Sequence, residues 1–441
     1  MHKLHLISLG CSKNLIDSEK TIYGFLQRGW ELTQDVSEAD AIVVNTCGFI
    51  DAAKQEAIDT LLEADAQRKK GALLIATGCM AQRYPEQLFE EMPELDMVIG
   101  IDQCEKIPEL VEAYNGRTSV WKEPDTEYHS GKRVYTGSLN YAYVRIADGC
   151  NNFCSYCAIP GIRGRYRSRA AAEILQEVKD LAQNGVTEII LIAQDTTRYG
   201  SDRKDGYGLA QLLRDVCKVE GILWVRFLYA YPEKLSDEIL EVMMQEEKIC
   251  KYVDIPIQHC NDRILKRMNR KVTRAQLDAL MQKLHSFGIT VRTTVMTGFP
   301  GETRQEHEEL LTFLKKERFD RLGAFAFCPE DGTPAAKMPD QIPEETKEAR
   351  LEEIMLQQQE ISLAQNRKRI GEVTECVIDS FDDETCQAIA RSQSEVPDVD
   401  GVIRIDWRDM PSEPVPGMRF DVMITDAQEY DLIGELNDAE E

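Results

Sequence analysis

The sequence predicts an α/β protein of three folded parts: an N-terminal doubly wound parallel sheet, a central partial (βα) TIM-type barrel and a small C-terminal β-barrel. Three observations predict it. Short apolar runs alternate with helix-period segments over the first hundred or so residues, the alternation resumes at Tyr141, and the final segment breaks into short strand-like runs between turn residues.

In the first part, residues 4–9 are strand-like, and residues 17–27 place Ile22, Phe25 and Leu26 on one helical face. Residues 41–45 (AIVVN) form a second strand, 51–70 a helix, 72–77 (ALLIAT) a third strand, and 97–100 a candidate fourth. Continuous apolar strands alternating with helices imply a parallel sheet covered on both faces. Residues 116–140 lose this periodicity and gain Gly, Ser, Pro and charge, which is linker composition. Candidate strands then recur at 141–146, 188–193, 223–229, 252–255, 290–296 and 323–327, with helical patterns such as 172–182 and 277–287 between them. Six parallel βα units without an antiparallel edge suggest a barrel or partial barrel, whose chemistry gathers at the strand C-terminal ends. A Glu- and Gln-rich helix over 344–368 connects to strand-like runs at 373–380, 386–390, 401–406 and 419–424, enough for a small barrel. The expected division is 1–115, a linker at 116–135, 136–366, and 367–436.

Composition bounds the function. Among 441 residues, 43% are hydrophobic and 29% charged, ordinary values for a folded chain with ample apolar surface to bury. Asp and Glu number 77 against 52 Lys and Arg, a formal charge of −25, so no general affinity for phosphate backbones is expected. Residues 366–441 hold seven Lys and Arg against twenty Asp and Glu, a net −13 that concentrates over half of the total charge. No stretch approaches eighteen apolar residues and the opening MHKLHLISLG lacks the zones of a signal peptide, so a cytoplasmic protein with no membrane partner is expected. Thirteen cysteines in such a chain argue for thiolates that bind metal or do redox work rather than for disulfides.

The sharpest motif is Cys150-Asn-Asn-Phe-Cys154-Ser-Tyr-Cys157. Three thiolates on one tight loop suit three irons of a cubane cluster and leave the fourth iron open to a substrate or cofactor. Zinc is the metal alternative, but a structural zinc site wants four ligands, and no fourth Cys or His stands nearby in sequence. A second constellation has long spacing: Cys11 follows the first predicted strand, Cys47 the second and Cys79 the third. All three therefore sit where a parallel sheet opens onto its ligand crevice, with Gly10, Gly48 and Gly78 beside them permitting close approach. Three buried structural cysteines are the competing reading. Arg163, Arg165, Arg167 and Arg169 offer guanidinium forks for phosphates, a substrate carboxylate or a cofactor carboxylate, or else form an ion-paired loop. Gln194, Asp195 and Gln258 lie at predicted strand ends. His259-Cys260 reads as a strand-end His beside a buried Cys rather than a catalytic pair, and Cys104, Cys217, Cys250, Cys328, Cys376 and Cys386 read as small core residues.

The C-x3-C-x2-C motif, with an aromatic residue before its last Cys and placed after the first strand of a βα barrel, resembles the radical S-adenosylmethionine enzymes. That resemblance implies a [4Fe-4S] cluster on Cys150, Cys154 and Cys157 whose open iron chelates S-adenosylmethionine, with one-electron reduction generating a 5′-deoxyadenosyl radical. It places Tyr156 near the adenine and makes Arg163, Gln194 and Asp195 candidate cofactor-binding residues, although the Gly-Gly-Glu pattern common in that superfamily is absent. The three dispersed N-terminal cysteines, together with VPDVDGVIRI and DVMITDAQEYDLIGEL in a TRAM-like C-terminal segment, are similar to the methylthiotransferase family over nearly the whole chain. The family resemblance implies a second [4Fe-4S] cluster on Cys11, Cys47 and Cys79, where sulfur is held and methylated. Gly10-Cys11-Ser12-Lys13-Asn14 resembles the branch that modifies an aspartate of ribosomal protein S12; the transfer-RNA branch has Gln-Met in place of Ser12-Lys13.

The resulting expectation is methylthiolation of the β-carbon of an aspartate in S12, either free or on the small ribosomal subunit, with an electron donor such as flavodoxin or ferredoxin. The acidic C-terminal part would dock the basic substrate, with Asp382, Asp383, Glu384, Asp398, Asp400 and Asp406 as candidates. Methylthiolation of a transfer-RNA adenosine is the near alternative. A non-catalytic iron-sulfur redox protein is the distant one.

Overall fold

Six strands, β1 (Lys3–Ser8), β2 (Glu31–Leu32), β3 (Ala41–Thr46), β4 (Leu73–Gly78), β5 (Met97–Ile99) and β6 (Thr118–Val120), form one parallel sheet in the order β2-β1-β3-β4-β5-β6. This is a computed structural model; it describes residues 1–124, 127–128, 130–138, 140–409 and 415–437. Successive β3 side chains explain the continuous apolar run. Ile42 and Val44 pack with Ala57, Leu61 and Leu88 on one face, while Ala41 and Val43 pack with Ile22, Phe25 and Ile107 on the other. The helices α1 (Ser12–Leu26), α2 (Asp51–Gln67), α3 (Cys79–Arg83), α4 (Pro85–Glu91) and α5 (Ile107–Glu112) supply this cover. The sheet is doubly wound as expected, but wider than the sequence suggested. β2 and β6 are edge strands of two and three residues without an apolar pattern, and β6 lies in the segment read as linker.

Two compact units result, one of residues 1–136, 145–169 and 328–336, the other of residues 137–144, 170–327 and 337–441. After β7 (Tyr141–Arg145) the chain re-enters the first unit through β8 (Ala147–Asp148), α6 (Ile159–Arg163) and β9 (Arg167–Ser168). β8 and β9 pair antiparallel and carry the Cys150–Cys157 segment between them.

The second unit holds the partial barrel. Its first half, in the order β11-β10-β7, uses β10 (Glu188–Ile192) and β11 (Trp224–Phe227); its second, β12-β13-β14, uses β12 (Tyr252–Asp254), β13 (Thr290–Thr297) and β14 (Arg321–Ala326). A parallel bridge of Val225 to Ile249 and the Ala230 N–H donated to Asp254 O at 2.9 Å tie β11 to the β12 segment. All six strands expected from the sequence are present. Helices α7 (Ala171–Gln183), α8 (Leu209–Cys217), α9 (Asp237–Gln245), α10 (Asp262–Arg267), α11 (Arg274–Ser286) and α12 (Arg304–Glu317) fill the connections. Ser236, Asn261, Thr273 and Thr303 cap α9 to α12, the last two as capping boxes with Gln276 and Glu306.

The long α13 (Glu344–Lys368) leads into a closed barrel, β15-β16-β17-β19-β18, of β15 (Val373–Asp382), β16 (Gln387–Arg391), β17 (Ile403–Asp406), β18 (Arg419–Ala427) and β19 (Leu432–Leu436). Inward residues such as Ile378, Ala388, Ile405, Val422 and Ile424 fill it. This barrel packs on the starts of the βα strands. Asn140 Nδ2 donates to Ile378 O at 2.6 Å, Glu188 at the head of β10 pairs with Arg391, Tyr252 at the head of β12 donates to Asp400 at 2.8 Å, and Arg321 at the head of β14 pairs with Glu395 at 3.0 Å. Strand C-terminal ends are thereby left to the opposite side of this unit.

Glu395 gives a pH-dependent stability. Burial pushes its carboxyl up, but Arg369, Arg321 and the Ser392 hydroxyl and N–H pull harder, and it settles at about 2. A carboxyl held below its unfolded value of about 4.3 contributes stability that is complete above that value and lost as pH falls through the folded one. The difference of about two pH units corresponds to about 3 kcal/mol. Glu395→Gln therefore lowers the melting temperature most above pH 5, and scans at successive pH values should show the wild-type and variant curves converging between about pH 4 and 2.

Candidate active site

The sheet order reverses between β1 and β3, and parallel α/β sheets bind ligands at such a reversal, beyond the strand C-terminal ends. Pairing of Ser8 with Asn45 and of Thr46 with Gly78 sets the ends of β1, β3 and β4 side by side. Cys11, Cys47 and Cys79 leave from these ends, and Cys11 is also the residue that caps α1. Gly10 has φ +88°, and a Cβ there would stand 3.1 Å from Cys47 Sγ, so glycine is what lets these two loops close together. The Cys79 thiol is pushed up to about 11 by burial, against the pull of Arg163, with Cys11 and Cys47 adding to the rise. Cys11 behaves oppositely. It is open to solvent yet surrounded by enough protein to be raised by desolvation, and Lys13, Arg163 and the N–H groups of Asn14 and Lys13 bring it below its ordinary value. The charge of the Cys11 sulfur thus reaches both Cys47 and Cys79.

The second triad sits on a loop pinned at both ends. Asp148 accepts the Gly149 N–H at 2.9 Å, Cys150 donates its N–H to Gly164 O at 3.1 Å, and Asn151 accepts the Tyr166 N–H at 3.1 Å. Gly149 has φ +73°, where a Cβ would lie 2.1 Å from Arg165 O, so the hairpin closes only on glycine. Cys150 and Cys154 are buried and Cys157 half-buried. Burial, then the charges of Cys154 and Cys150, drive the Cys157 thiol far up. A cavity of ≈ 810 Å³ borders Cys154 and Cys157, with Arg83, Trp121, Phe153 and Arg165 among its walls, so these sulfurs adjoin space of small-ligand size.

The donor chemistry fits clusters better than single zinc ions. Tetrahedral zinc with Zn–S near 2.3 Å holds its sulfurs about 3.8 Å apart. Among the described residues, the only group of three His, Cys, Asp or Glu ligand atoms within 4.8 Å of one another is Asp51, Cys328 and Glu330, whose carboxylates already pair with Lys54 and Arg83. Neither cysteine triad is drawn to zinc spacing, while three thiolates per site remain the set that a cubane uses.

The two triads belong to the same unit and share a wall: Cys79 packs in one apolar cluster with Ile101, Ile162 and Ala158, the residue after Cys157. Arg163 closes that wall. Its Nη2 donates to Asn14 Oδ1 at 2.9 Å, to Asp17 Oδ2 at 2.9 Å and to Cys79 Sγ at 3.8 Å, and its Nη1 reaches Asp148 at 3.3 Å. The sequence offered a phosphate, a substrate or cofactor carboxylate, or ion pairing within the loop as its partner; here its contacts are with Asp17, Asp148, Asn14 and Cys79. Arg167 donates to Arg163 O at 2.6 Å, Arg169 to Ser130 at 2.8 Å, and Arg165 stacks on Phe153 at 4.6 Å, so this arginine run braces the loop.

Tyr156 is half-buried on the cysteine loop. Gln194 and Asp195 follow β10 in the other unit, where fully buried Asp195 accepts from Thr197 Oγ1 at 2.6 Å and lies 3.6 Å from Arg198 Nε. Gln258 takes φ +69° at its bridge to Val295. His259 donates from Nε2 to Glu302 at 3.1 Å and accepts the Asn261 N–H at Nδ1, while Cys260 meets Arg274 at 3.5 Å, so the two form no pair. Cys104, Cys217, Cys250 and Cys376 are buried; Cys328 and Cys386 are half-exposed instead of core residues, because they sit in connecting segments. Sequence reasoning missed Asn14, Asp17, Arg145 and Asp148, all buried beside the triads. The available signal was an unusually polar first helical turn, Ser12-Lys13-Asn14, directly after Cys11.

Comparison with known proteins agrees with this layout. Residues 144–314 match the Radical SAM superfamily, 3–100 the uncharacterized protein family UPF0004, and 370–436 the TRAM domain. The ribosomal protein uS12 methylthiotransferase RimO of Caldicellulosiruptor saccharolyticus is 46% identical, covering 99% of this chain and all of that protein. Its counterparts in Syntrophotalea carbinolica and Clostridium botulinum are 43% and 44% identical over 99% and 98% of the chain, and 97% of each of those proteins is covered. The chain belongs to the RimO family. Among solved structures, the radical S-adenosylmethionine methyltransferase TsrM of Kitasatospora setae, with cobalamin and a [4Fe-4S] cluster bound, superposes with a TM-score of 0.54 at 15% identity, covering 76% of this chain and 77% of that one. That likeness is one of fold. The RimO relatives, by contrast, match almost end to end. No helix among the described residues is long and apolar enough to cross a membrane.

Proposed function

We propose that this protein methylthiolates the β-carbon of an aspartate in ribosomal protein uS12, using S-adenosylmethionine and two [4Fe-4S] clusters, in the cytoplasm and with an electron donor such as flavodoxin or ferredoxin. The observation that carries the reading is the pairing of two cysteine triads within one compact unit of a RimO-family chain. A β-carbon of aspartate is neither nucleophile nor electrophile, so proton transfer alone cannot open it to sulfur. When bound on Cys150, Cys154 and Cys157, a cluster with S-adenosylmethionine would supply one-electron chemistry for hydrogen abstraction, and one on Cys11, Cys47 and Cys79 the sulfur.

The chain's own residues then have defined work. Gly149, Asp148 and Asn151 fix the loop that would hold the cluster on its three thiolates. Ile101, Ile162 and Ala158 pack an apolar wall against Cys79. Tyr156 would pack on the cofactor from the same loop.

The acidic C-terminal barrel would act as an anchor for the basic substrate, set apart from the strand C-terminal ends. Its charge is less free than the sequence implied. Asp400 is buried against Arg292 and Tyr252, Asp398 accepts from Tyr141 at 2.6 Å, and Asp406 pairs with Arg408. Asp382, Asp383 and Glu384 form an outward turn and are the better test. Their joint conversion to Asn, Asn and Gln should weaken uS12 binding severalfold at low salt, with the loss shrinking as screening shortens to about 8 Å at physiological ionic strength. Affinity measured across a salt series checks this. The function itself is tested by mass spectrometry of uS12 and transfer RNA from cells with and without the gene. A methylthio mark that disappears from uS12 supports the reading; one that disappears from transfer RNA instead refutes it.

A further inference from the structure

We infer that Arg163 sets the reduction potential of the auxiliary cluster held by Cys11, Cys47 and Cys79, and is a positioning and charge-setting residue rather than a ligand for S-adenosylmethionine. The inference rests on the proposed assignment of a cluster to that triad.

Arg163 ends α6, six residues after Cys157, yet every polar contact found for its guanidinium goes toward the first triad or toward carboxylates that brace it. The side chain is 2% exposed. A guanidinium so enclosed cannot swing out to a ligand without abandoning Asp17, Asp148 and Asn14 together, and each broken charge-assisted contact in a buried site is costly. Its position is also guarded from the far side. Arg145 Nη1 donates to Asp17 Oδ1 at 2.7 Å, leaving Oδ2 for Arg163, and Arg167 holds the Arg163 carbonyl. Asn14 is held in turn: its Nδ2 donates to Leu9 O at 3.0 Å and Thr46 O at 3.1 Å, which fixes its Oδ1 toward Arg163 and Cys79. The positive charge therefore stands at a fixed place beside Cys79 Sγ.

Cluster potentials respond to net charge, to hydrogen bonds on the ligand sulfurs and to burial. A one-electron reduction adds one negative charge to the cluster, and a permanent cation against a ligand sulfur in a dry environment favours the reduced form. Arg163 supplies both the charge and an N–H aimed at that sulfur. Asp17 opposes it, because its carboxylate compensates the same guanidinium.

The test uses the full chain with Cys150, Cys154 and Cys157 replaced by Ala, so that after anaerobic reconstitution only the auxiliary cluster is present. Redox titration followed by electron paramagnetic resonance reads its midpoint potential. Arg163→Gln should lower the reduced-to-oxidised ratio at a fixed poise about tenfold, equivalent to about 59 mV for a one-electron couple. Arg163→Lys, which keeps the charge, should recover most of that shift while altering the spectrum, because the planar fork is lost. Asp17→Asn should move the potential the opposite way, and this variant keeps the inference testable if Arg163→Gln does not fold. An unchanged potential in both Arg163→Gln and Asp17→Asn, with iron content retained, overturns the inference. Absence of any cluster in the parent protein overturns the assignment of the triad instead, so the two failures are distinguishable.

Discussion

Replacing Cys150, Cys154 and Cys157 together by alanine is expected to abolish cleavage of S-adenosylmethionine and to remove about half of the roughly eight irons that two cubane clusters contain. Replacing Cys11, Cys47 and Cys79 should remove the other half, leave 5′-deoxyadenosine formation measurable, and abolish methylthio transfer. The asymmetry follows from the separation of duties between the triads. The loop of the second triad is closed by Gly149 and by hydrogen bonds of Asp148 and Asn151 to its own backbone. Iron and 5′-deoxyadenosine assays on the two triple variants read both effects. Full iron retention by the variant lacking Cys11, Cys47 and Cys79 would remove the second cluster from the account.

A second large effect is structural and lies away from the iron sites. Glu188 is fully buried at the head of β10, where it accepts from Arg226 Nε at 2.7 Å and pairs with Arg391 of the C-terminal barrel. Arg226 also donates to Gln393 O at 2.8 Å, and Arg391 to Asp379 at 2.7 Å. Burial pushes the Glu188 carboxyl up, but Arg391 and Arg226 outweigh it and hold it ionised below its ordinary range. Breaking a buried pair from one side strands the partner charge, at a cost of about 3–5 kcal/mol. Glu188→Ala leaves Arg226 with Gln393 O and Arg391 with Asp379 as their remaining partners, and should destabilise the second unit by about that amount. Trp224, stacked by Arg419 at 4.1 Å and near Arg391 at 5.8 Å, offers a local fluorescence probe for the loss. Denaturation that leaves the variant as stable as the wild type would show that this ion-pair network does not join the C-terminal barrel to the βα strands.

Much of the architecture was legible because its driving force is local in sequence. AIVVN and ALLIAT are apolar at every position since both faces of the sheet are covered, and that pattern survives without any knowledge of the partner helices. The six βα strands were readable for the same reason. β2, β6 and β19 were not placed: two are short edge strands with exposed or half-exposed residues, and LIGEL at β19 interrupts its apolar pattern with Gly434 and Glu435. The start of α1 was placed five residues late, because Lys13 and Asn14 are buried there for the sake of the site and carry no apolar stripe.

The same contrast holds at the site. The Cys150–Cys157 spacing is compact enough to read directly, whereas Cys11, Cys47 and Cys79 became a set only through their common place after strands. Arg163 could not be assigned from sequence at all. Its partners Asn14 and Asp17 lie about 150 residues away, and an arginine run beside a cofactor motif carries no sign of them. The docking acids divide: Asp398 is exposed and accepts from Tyr141, whereas the Asp400 carboxylate is buried against Tyr252 and Arg292.

The central claim, that one chain both generates the abstracting radical and delivers sulfur to a carbon of uS12, is tested most directly by tandem mass spectrometry of uS12 after reaction in vitro. The fully reconstituted protein is incubated anaerobically with S-adenosylmethionine, a reductant and purified uS12. The account predicts one methylthio group in place of one hydrogen on the β-carbon of a single aspartate, formed together with 5′-deoxyadenosine. Production of 5′-deoxyadenosine with uS12 left unmodified, while transfer RNA added to the same mixture acquires the methylthio group, would contradict it.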